Sequence, residues 1–520
     1  MSAGTGRLLG GFATVGGWTM ASRVLGFLRD VLIAGLLGAG PVAEAFFVAF
    51  RLPNMFRRFF AEGAFNAAFI PLFAKRLEGE GEAAAKSFAE EAMAALASAL
   101  ILFTLLALLA MPVMVMALAS GFRGDPERFE LAVLFGRICF PYILFISLAA
   151  LFSGVLNSFG KFAAAAAAPV LLNVILCGVL AAAWALGLNR GVALSWAVLA
   201  AGMAQLALLV WAARKIGMGL ALRRPRWTPG VARVVQLGIP AALAGGVVQI
   251  NLLVGTQVAS YTEGAVGWLW YADRVYQLPL GVVGVAIGVV LLPELSRLVR
   301  AGDDGAALGT LNRAGEFAMI LTVPATVALL AIPETITAAL FERGAFTIAD
   351  SRATALALAV YAAGLPAFIL QKILQPAYFA REDTRRPLRY AVVSMAINLV
   401  VAIGLMPVMG YLAAALGTVL AAWANFFLLW RGAGQIGAEF RLDDRMRRRG
   451  PRIVLAALAM GTVVLIATEA VATVGFGRSA FGLLGIVGLG MLAYIGFAAF
   501  FGGFVPREIA AMMRRRKAGG

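Results

Sequence analysis

The sequence predicts an all-α polytopic membrane protein with fourteen transmembrane helices. Hydrophobic residues make up 62% of the 520-residue chain and charged residues only 14%, a balance that does not fit soluble domains. Long unbroken apolar runs, such as 95–109, are typical of membrane-spanning helices, whereas the strands of a membrane β-barrel alternate apolar and polar residues. The chain has no histidine and only two cysteines, far apart, which argues against imidazole catalysis, zinc sites and a disulfide framework.

Each predicted span contains about 20 mainly apolar residues. The first six spans are 8–38, 43–72, 90–118, 132–157, 162–187 and 191–213. The next six are 233–259, 266–296, 314–333, 354–379, 387–408 and 411–430, and a final pair covers 453–473 and 480–504. The first segment carries Arg23 and Arg29 after its apolar start and has no clear small-residue cleavage site, so we interpret it as a retained helix rather than a signal peptide.

The basic residues predict the orientation of these spans. With the N-terminus inside, thirty of the 44 Lys and Arg residues fall on the inner side and six on the outer side. Because cytoplasmic loops are enriched in Lys and Arg, both termini are predicted to be cytoplasmic. Topology and attraction of the basic loops to anionic phospholipids account for most of the net charge of +17, so no nucleic-acid partner is needed to explain it.

An internal repeat relates helices 1–6 to helices 7–12. Matching positions recur 221 to 226 residues apart: Leu52-Pro53 with Leu278-Pro279, 107–112 with 328–333, Phe140-Pro141 with Leu365-Pro366, and Asn173 with Asn398. Each copy has an even number of helices, so the copies are parallel, with a cleft between them as the expected transport site. The repeat predicts an N-lobe (1–215), a basic cytoplasmic linker (216–232), a C-lobe (233–431), a basic cytoplasmic loop (432–452), helices 13 and 14 (453–505) and a basic cytoplasmic tail (506–520). A monomer is expected, since two halves already surround one cleft.

Basic residues inside the membrane carry the functional argument. Eight lie within or at the edges of spans: Arg23, Arg29, Arg51, Arg57, Arg58, Arg137, Arg274 and Lys372. A central arginine costs at least ~2.5–3.5 kcal/mol, so it is expected to face a wet cavity, pair with an acid or reach the interface. Several of the arginines in helices 1–6 match uncharged residues at the corresponding positions of helices 7–12. The fold therefore does not require these arginines. Guanidinium groups lining a cavity are suited to phosphate oxygens.

Alternative roles remain open for some of these side chains. Arg51, Arg58 and Arg137 are compatible with snorkelling or pairing, and Lys372 with either a cavity or a structural position. Arg29 has Asp30 beside it and Glu62 as a further potential partner. Pro53 and Pro279 lie near Arg57 and Arg274, where a helix break would open backbone around a site.

The few acidic residues inside the predicted spans indicate whether transport is coupled to a cation. Four of them bear on the coupling of transport: Asp30, Glu44, Glu62 and Asp273. A cation-driven exporter of drugs usually needs an unpaired acid deep in one half, and each of these has an arginine nearby or lies near a helix end. Cation substrates are therefore disfavoured.

Several stretches carry a family resemblance: 22–30, 45–54, Arg57-Arg58, 61–65 and 271–274, with further similarity at 140–144 and 168–169. In these residues the sequence resembles the MurJ (MviN) family of lipid II flippases, within the multidrug/oligosaccharidyl-lipid/polysaccharide exporter superfamily. The resemblance implies a flippase of the bacterial inner membrane, not an enzyme. It would move the undecaprenyl-pyrophosphate-linked peptidoglycan precursor from the cytoplasmic to the periplasmic leaflet by alternating access.

The resemblance also implies a site. Arg23, Arg29, Arg57 and Arg274 are expected to line the central cavity and bind substrate. Supporting or gating roles are expected for Ser22, Asp30, Glu44, Asn54, Arg58, Glu62, Asp273 and Lys372. Helices 13 and 14 are expected to form a groove for the lipid tail. No catalytic residue, cofactor or metal is expected, and lipid II is the expected partner, with the cell-wall synthesis machinery as a further candidate.

The sequence is also compatible with two alternative functions. One is a cation-coupled multidrug exporter on the same fold, which predicts an apolar cavity with an unpaired acid. The other is a scaffold for cell-wall enzymes, for which intramembrane arginines have no purpose.

Overall fold

The computed structural model describes residues 3–57, 65–434 and 441–503, without the side chains of 3–13, 67, 240–248, 250–252 and 282–290. These residues are helical apart from short connections, and they contain no β-strand. The predicted all-α class is confirmed for this part of the chain.

The first half begins with nine α-helices and one 3-10 helix. They are α1 (Ala3–Leu37), α2 (Pro41–Arg57), α3 (Asn66–Gly79), α4 (Glu82–Leu109), α5 (Met111–Leu118), the 3-10 helix (Ser120–Gly124), α6 (Pro126–Cys139), α7 (Tyr142–Ser158), α8 (Ala163–Ala185) and α9 (Arg190–Lys215). Local sequence determines where several of these helices begin. The Asp125 side chain accepts the amide of Arg128 at the start of α6, and Asn189 caps α9 in the same way, as short polar side chains do at helix N-termini.

Ten further helices follow. They are α10 (Pro229–Ala259), α11 (Ala265–Arg300), α12 (Asp304–Ala331), α13 (Pro333–Phe341), α14 (Ile348–Phe379), α15 (Arg385–Gly404), α16 (Met406–Met409), α17 (Leu412–Ala433), α18 (Asp444–Thr473) and α19 (Ala480–Phe500). Thr228 caps α10, whose first residue is a proline, and Thr347 with Asp350 forms a capping box on α14.

Ten helical segments among the described residues are long and apolar enough to cross a membrane. They coincide with predicted spans 3–6 and 9–14, α6 and α7 together forming one of them. Predicted spans 1, 2, 7 and 8 overlap α1, α2 with α3, α10 and α11, each of which borders or contains residues outside the description. The count of fourteen and the location of both termini therefore stay predictions.

The repeated sequence run marks the same structural change in both halves. In the first half α4 ends at Leu109 and the short α5 begins at Met111, with a proline in its first turn. In the second half α12 ends at Ala331 and the short α13 begins at Pro333. Proline fits the first turn of a helix but not its interior, so the Pro in each run favours a new helix at that point. This correspondence supports the internal repeat.

The prolines in α2 and α11 behave differently from expectation. Pro53 lies inside α2, which continues to Arg57, and Pro279 lies inside α11, which runs unbroken from Ala265 to Arg300. The expected helix break at Pro279 is therefore wrong. A proline removes one backbone hydrogen bond, a loss that membrane helices tolerate when their surroundings satisfy the freed carbonyl.

The chain divides into two compact units. The first comprises Met1–Gly267 with Arg343–Phe346, and the second comprises Trp268–Glu342 with Thr347–Gly520. Helix α10 belongs to the first unit because it packs on α3, α4 and α5. The predicted lobes follow the sequence repeat instead, and their boundaries stay a prediction.

Stacked phenylalanines form the core beneath α10 in the first unit. Phe69 of α3 stacks on Phe65, Phe73 and Phe88 with ring centroids 5.1, 5.5 and 5.6 Å apart. All four rings are buried, so they join α3 to α4 without polar contacts.

A segment distant in sequence packs on the C-terminal end of α1. The Ala345 amide donates to the Gly35 carbonyl at 2.8 Å. A Cβ at Gly344, where φ is +58°, would lie 2.1 Å from the Gly35 oxygen, and a Cβ at Gly38, where φ is +67°, would lie 2.6 Å from the Ala345 oxygen. Only glycine fits both the positive φ and the close approach, so Arg343–Phe346 is held tightly against α1.

In the second unit, a buried carboxylate joins α12 to α18. Glu316 of α12 is 4% exposed. It accepts hydrogen bonds from Arg445 at 2.9 and 3.1 Å, from Arg449 at 2.7 Å and from Arg313 at 3.1 Å. Asp443 caps α18 and pairs with Arg313 at 3.0 Å. The start of α18 is therefore fixed to α12 by charge as well as by packing.

Candidate functional site

Arg29 of α1 lies in a neutral, buried cluster. It is 6% exposed, and its Nε and Nη2 donate to Asp30 Oδ1 at 3.1 and 2.8 Å. Its Nη1 donates to Asn173 Oδ1 of α8 at 2.9 Å, and the Phe50 ring centroid lies 5.9 Å from its Cζ. A buried charge is tolerated only with such partners, and Asp30 cancels this one.

Asn173 connects this cluster to the preceding turns of α1. Its Nδ2 donates to the Ser22 carbonyl at 3.0 Å and to the Pro169 carbonyl at 3.2 Å. A Cβ at Gly26 would lie 3.5 Å from the same Nδ2. Ser22, Gly26 and Arg29 are spaced four and three residues apart and therefore share the face of α1 that packs on α8. One amide side chain thus fixes both the height and the rotation of α1.

Arg23 has different surroundings from Arg29. It directly follows the anchored Ser22, yet its side chain is exposed. Within the described part of the chain it forms no hydrogen bond or ion pair, so its charge is uncompensated there. The two arginines that the sequence groups together in α1 thus differ in their chemistry.

The second helix carries the next predicted ligand. Arg57 is the last residue of α2 and is half-buried. Asn54 donates to the Phe50 carbonyl at 2.8 Å within the same helix, and Arg51 donates to Thr256 Oγ1 of α10. Arg51 thus has a hydroxyl acceptor on α10, and the choice between pairing with an acid and snorkelling stays open.

Two predicted supporting residues, Arg58 and Glu62, lie outside the described residues. The pairing of Glu62 with Arg29 therefore stays a prediction.

Glu44 forms a second buried ion pair, at the end of α2 predicted to be external. It is fully buried, and its Oε2 accepts from Arg128 Nη1 of α6 at 3.0 Å. Its Oε1 accepts the Val266 amide at 3.0 Å, in the first turn of α11. Arg128 also bonds Asp125 at 2.8 Å and lies 4.9 Å from the Phe122 ring centroid. Glu44 therefore links α2 to α6 and to the first residues of α11.

The 3-10 helix holds the end of α10 on the same predicted side. The Gly121 amide donates to Ser260 Oγ at 2.9 Å, and the Ser120 amide donates to Gln257 Oε1 at 3.0 Å. The Ser120 and Tyr261 hydroxyls lie 2.8 Å apart. A Cβ at Gly121 would lie 2.4 Å from the Ser260 carbonyl carbon, so the backbones touch.

The remaining predicted site residues belong to the second unit. Arg274 of α11 is half-buried, and its Cζ lies 4.6 Å from the Trp270 ring centroid, a cation–π contact. Asp273 accepts a hydrogen bond from Gln277 one turn later. Lys372 is exposed on α14.

Of the four span acids considered from the sequence, the three that the structure describes are engaged. Asp30 pairs with Arg29, Glu44 with Arg128, and Asp273 accepts from Gln277. In the same part of the chain, no group of three or more Cys, Asp or Glu side chains is arranged to hold a metal ion.

Sequence reasoning missed two residues that organise these clusters. Asn173 was noted only as a repeat match, although a polar side chain inside an apolar span signals a buried hydrogen-bond partner. Arg128 falls in the predicted outer loop between spans 90–118 and 132–157, but the Asp125-Pro126 pair just before it is a helix-start signal, and the structure places it in the first turn of α6.

Comparison with known proteins gives consistent sequence matches. The family model described as lipid II flippase MurJ matches residues 33–485. A protein of Rhizobium meliloti named probable lipid II flippase MurJ is 46% identical over 518 residues, covering 97% of this chain and 96% of the relative. A Burkholderia cenocepacia protein named lipid II flippase MurJ is 37% identical over 432 residues, covering 82% of this chain and 83% of the relative.

Solved structures share the fold. A structure of lipid II flippase MurJ in an inward closed conformation has a TM-score of 0.78 at 24% identity, covering 94% of this chain and 98% of that one. An inward-facing multidrug resistance transporter of the MATE family has a TM-score of 0.66 at 16% identity, covering 80% and 95%.

Proposed function

Because this chain belongs to the lipid II flippase MurJ family, we propose that it moves lipid II from the cytoplasmic to the periplasmic leaflet of the bacterial inner membrane. The family is one of transporters, so the chain is not an enzyme. Support for the substrate comes from relatives that carry the same name at up to 46% identity over nearly the whole chain.

The environment of Arg23 is the observation that carries the anion-binding part of this proposal. Arg23 brings an exposed, uncompensated charge into a predicted span, at a cost of at least ~2.5 kcal/mol in lipid. A pyrophosphate in a wet cavity removes this cost, and the planar guanidinium matches its oxygens. Arg57 and Arg274, both half-buried, are proposed as further ligands.

Arg29 is assigned a positioning role in this proposal. Its hydrogen bonds to Asp30 and Asn173 use its donors inside the first unit. Together with Asn173 and Ser22, it therefore fixes the position of α1 along its axis, and this position sets where the Arg23 side chain lies.

Transport is proposed to proceed by alternating access of two lobes in a monomer. The lobes are those of the repeat, 1–215 and 233–431, with both termini in the cytoplasm and helices 13 and 14 holding the lipid tail. Outward release of an anion from a cell that is negative inside is favoured by roughly 2.3 kcal/mol per charge at 100 mV. The rate is therefore expected to depend on membrane potential.

The state of the acids argues against a cation-coupled multidrug exporter. Such a protein needs a carboxylate that is available for a proton or a sodium ion. Asp30 and Glu44 instead have arginine partners within hydrogen-bonding distance.

The decisive experiment compares arginine variants in cells depleted of the native protein. Lipid II is counted in each leaflet after complementation with wild type, Arg23→Ala, Arg57→Ala or Arg29→Ala. Arg23→Ala and Arg57→Ala are expected to leave lipid II in the inner leaflet while the protein accumulates normally. Arg29→Ala is expected to lower protein stability as well, because it leaves Asp30 buried without its cation.

Arg123→Ala is the matched control, since Arg123 is an exposed arginine of the 3-10 helix, outside the predicted spans. It is expected to support normal translocation. Normal translocation after depletion, in a strain with no second flippase, would refute the proposed function. Normal translocation with Arg23→Ala would refute the proposed ligand role.

Orientation is tested by single cysteines in a background lacking Cys139 and Cys177. Glu263 and Asp304 are exposed and lie between predicted spans on opposite sides of the membrane. An impermeant thiol reagent added to intact cells is expected to label Glu263→Cys but not Asp304→Cys. The reverse pattern would overturn the orientation.

A further inference from the structure

A cavity of about 320 Å³ lies between α3, α4 and the first turn of α10, within the first unit. Its lining residues are Leu72, Arg76, Phe88, Pro229, Gly230 and Arg233. The predicted spans end at 72 and begin at 90 and 233, so these residues lie at the predicted cytoplasmic membrane–water interface. This is the depth at which lipid phosphates lie.

Two arginines and a helix N-terminus make the cavity positive. The Arg76 Cζ lies 4.3 Å from the Phe88 ring centroid, and its Nη2 is 3.0 Å from the position a Gly230 Cβ would occupy. The guanidinium thus lies between a ring and the start of a 31-residue helix. That start carries its own partial positive charge, and Arg233 adds another full charge one turn later.

The neighbouring carboxylates are engaged elsewhere. Glu91 Oε2 accepts from Thr228 Oγ1 at 2.8 Å, and Glu90 pairs with Arg223 at 2.6 Å and accepts the Ala221 amide at 3.0 Å. Among the described residues that line the cavity there is no carboxylate. Three positive groups therefore converge on a space whose described lining contains no acid.

The helix start leaves a donor available for an anion. Pro229 has no amide hydrogen, and the Val231 amide donates to Thr228 Oγ1 at 3.3 Å. The Gly230 amide lies between them in the first turn, where helix N–H groups have no intrahelical acceptor. Its lack of a side chain lets an oxygen approach the backbone closely.

The rest of the lining is apolar. Leu72, Phe88 and Pro229 form hydrocarbon walls beside the cationic end. A free inorganic anion gains nothing from such walls, whereas a phospholipid has a phosphate joined to a glycerol and acyl chains. The combination of cationic and apolar lining at interfacial depth favours a lipid source for the anion.

We propose that this cavity binds the phosphate of an anionic phospholipid of the cytoplasmic leaflet. Arg76 and Arg233 bind the phosphate oxygens together with the Gly230 amide, and the acyl end lies against the apolar walls. The bound lipid fixes the start of α10, the first helix of the second repeat, against α3 and α4. This site is separate from the substrate arginines and does not depend on which molecule is transported.

The test is lipid-dependent thermal stabilisation of the full-length protein in detergent. Phosphatidylglycerol is titrated against wild type and the Arg76→Gln/Arg233→Gln variant, with phosphatidylcholine as the neutral lipid. Wild type is expected to gain a higher unfolding temperature with phosphatidylglycerol than with phosphatidylcholine, and the variant to bind at least about tenfold more weakly. The control, Arg224→Gln/Arg226→Gln, removes the same charge from exposed linker positions and is expected to bind as wild type does.

Three results would overturn the proposal. Equal weakening in the Arg224→Gln/Arg226→Gln control would mean diffuse charge attraction. Full stabilisation by sodium phosphate alone, with no further effect of phosphatidylglycerol, would mean a free anion rather than a lipid. Unchanged affinity in Arg233→Gln, whose exposed side chain can be replaced without disturbing packing, would remove Arg233 from the site even if the double variant failed to fold.

Discussion

Replacing Arg128 with Met is expected to destabilise the protein strongly, because it leaves the Glu44 carboxylate buried without its cation. Glu44 is 0% exposed and Arg128 is 6% exposed, so solvent cannot take over the lost interaction. Removing one partner of a buried pair costs about 3–5 kcal/mol. The Val266 amide still donates to Glu44, which places the expected loss near the lower end of that range, a change of roughly 100-fold or more in the unfolding equilibrium.

The assay is equilibrium unfolding by denaturant in detergent micelles, followed by circular dichroism. The variant Glu44→Gln/Arg128→Met is expected to recover at least half of the loss, since no charge remains buried and Gln still accepts the Val266 amide. Arg123→Met, which removes an exposed arginine nearby, is expected to be near neutral. A loss below about 1 kcal/mol in Arg128→Met, or no recovery in the double variant, would refute the reasoning.

Two further predictions use the same unfolding assay. Gly121→Ala is expected to cost about 1–3 kcal/mol because its Cβ would lie 2.4 Å from the Ser260 carbonyl carbon, whereas Gly124→Ala meets no atom within 4 Å and serves as the neutral control. Equal stability of the two alanine variants would argue against close contact at Gly121. Glu316→Gln is expected to cost about 2–4 kcal/mol because three arginines share its buried charge, while Glu294→Gln, in a more exposed pair, is expected to cost less than about 1 kcal/mol. Similar losses in both Glu variants would contradict a special role for the buried carboxylate.

Much of the helical architecture follows from the sequence because the membrane allows few solutions. Unbroken apolar runs of about 20 residues have to be helices, so spans 3–6 and 9–14 appear near their predicted places. The recurring run at 107–112 and 328–333 coincides with the points where both long helices give way to short ones, a change that the predicted span 90–118 does not include. The uninterrupted course of α11 through Pro279 was not predictable, because local sequence does not reveal what satisfies the freed carbonyl.

The site was predicted less completely, since charge partners come from other helices. The sequence identifies Arg23 and Arg29 as intramembrane charges and assigns both to the substrate site, with Asp30 as a neighbour of Arg29. Their difference depends on Asn173, which lies 144 residues after Arg29 and acts through packing of α8 on α1. In the same way, Glu44 is seen to be paired only once Arg128 is placed in the first turn of α6. Long-range partners of this kind require the tertiary structure.

The docking of Arg343–Phe346 on Gly35 and Gly38 has a consequence for biogenesis. The first unit is discontinuous in sequence, so it stays incomplete until about 80 residues beyond Gly267 have been synthesised. At 5–20 residues per second this interval lasts roughly 4–16 s, during which the C-terminal end of α1 lacks its contacts with Arg343–Phe346. A truncated chain that stops at Gly267 would carry all the helices of this unit and still lack a piece of its surface. Insertion and assembly of the two halves are thereby coupled during translation, before any substrate is met.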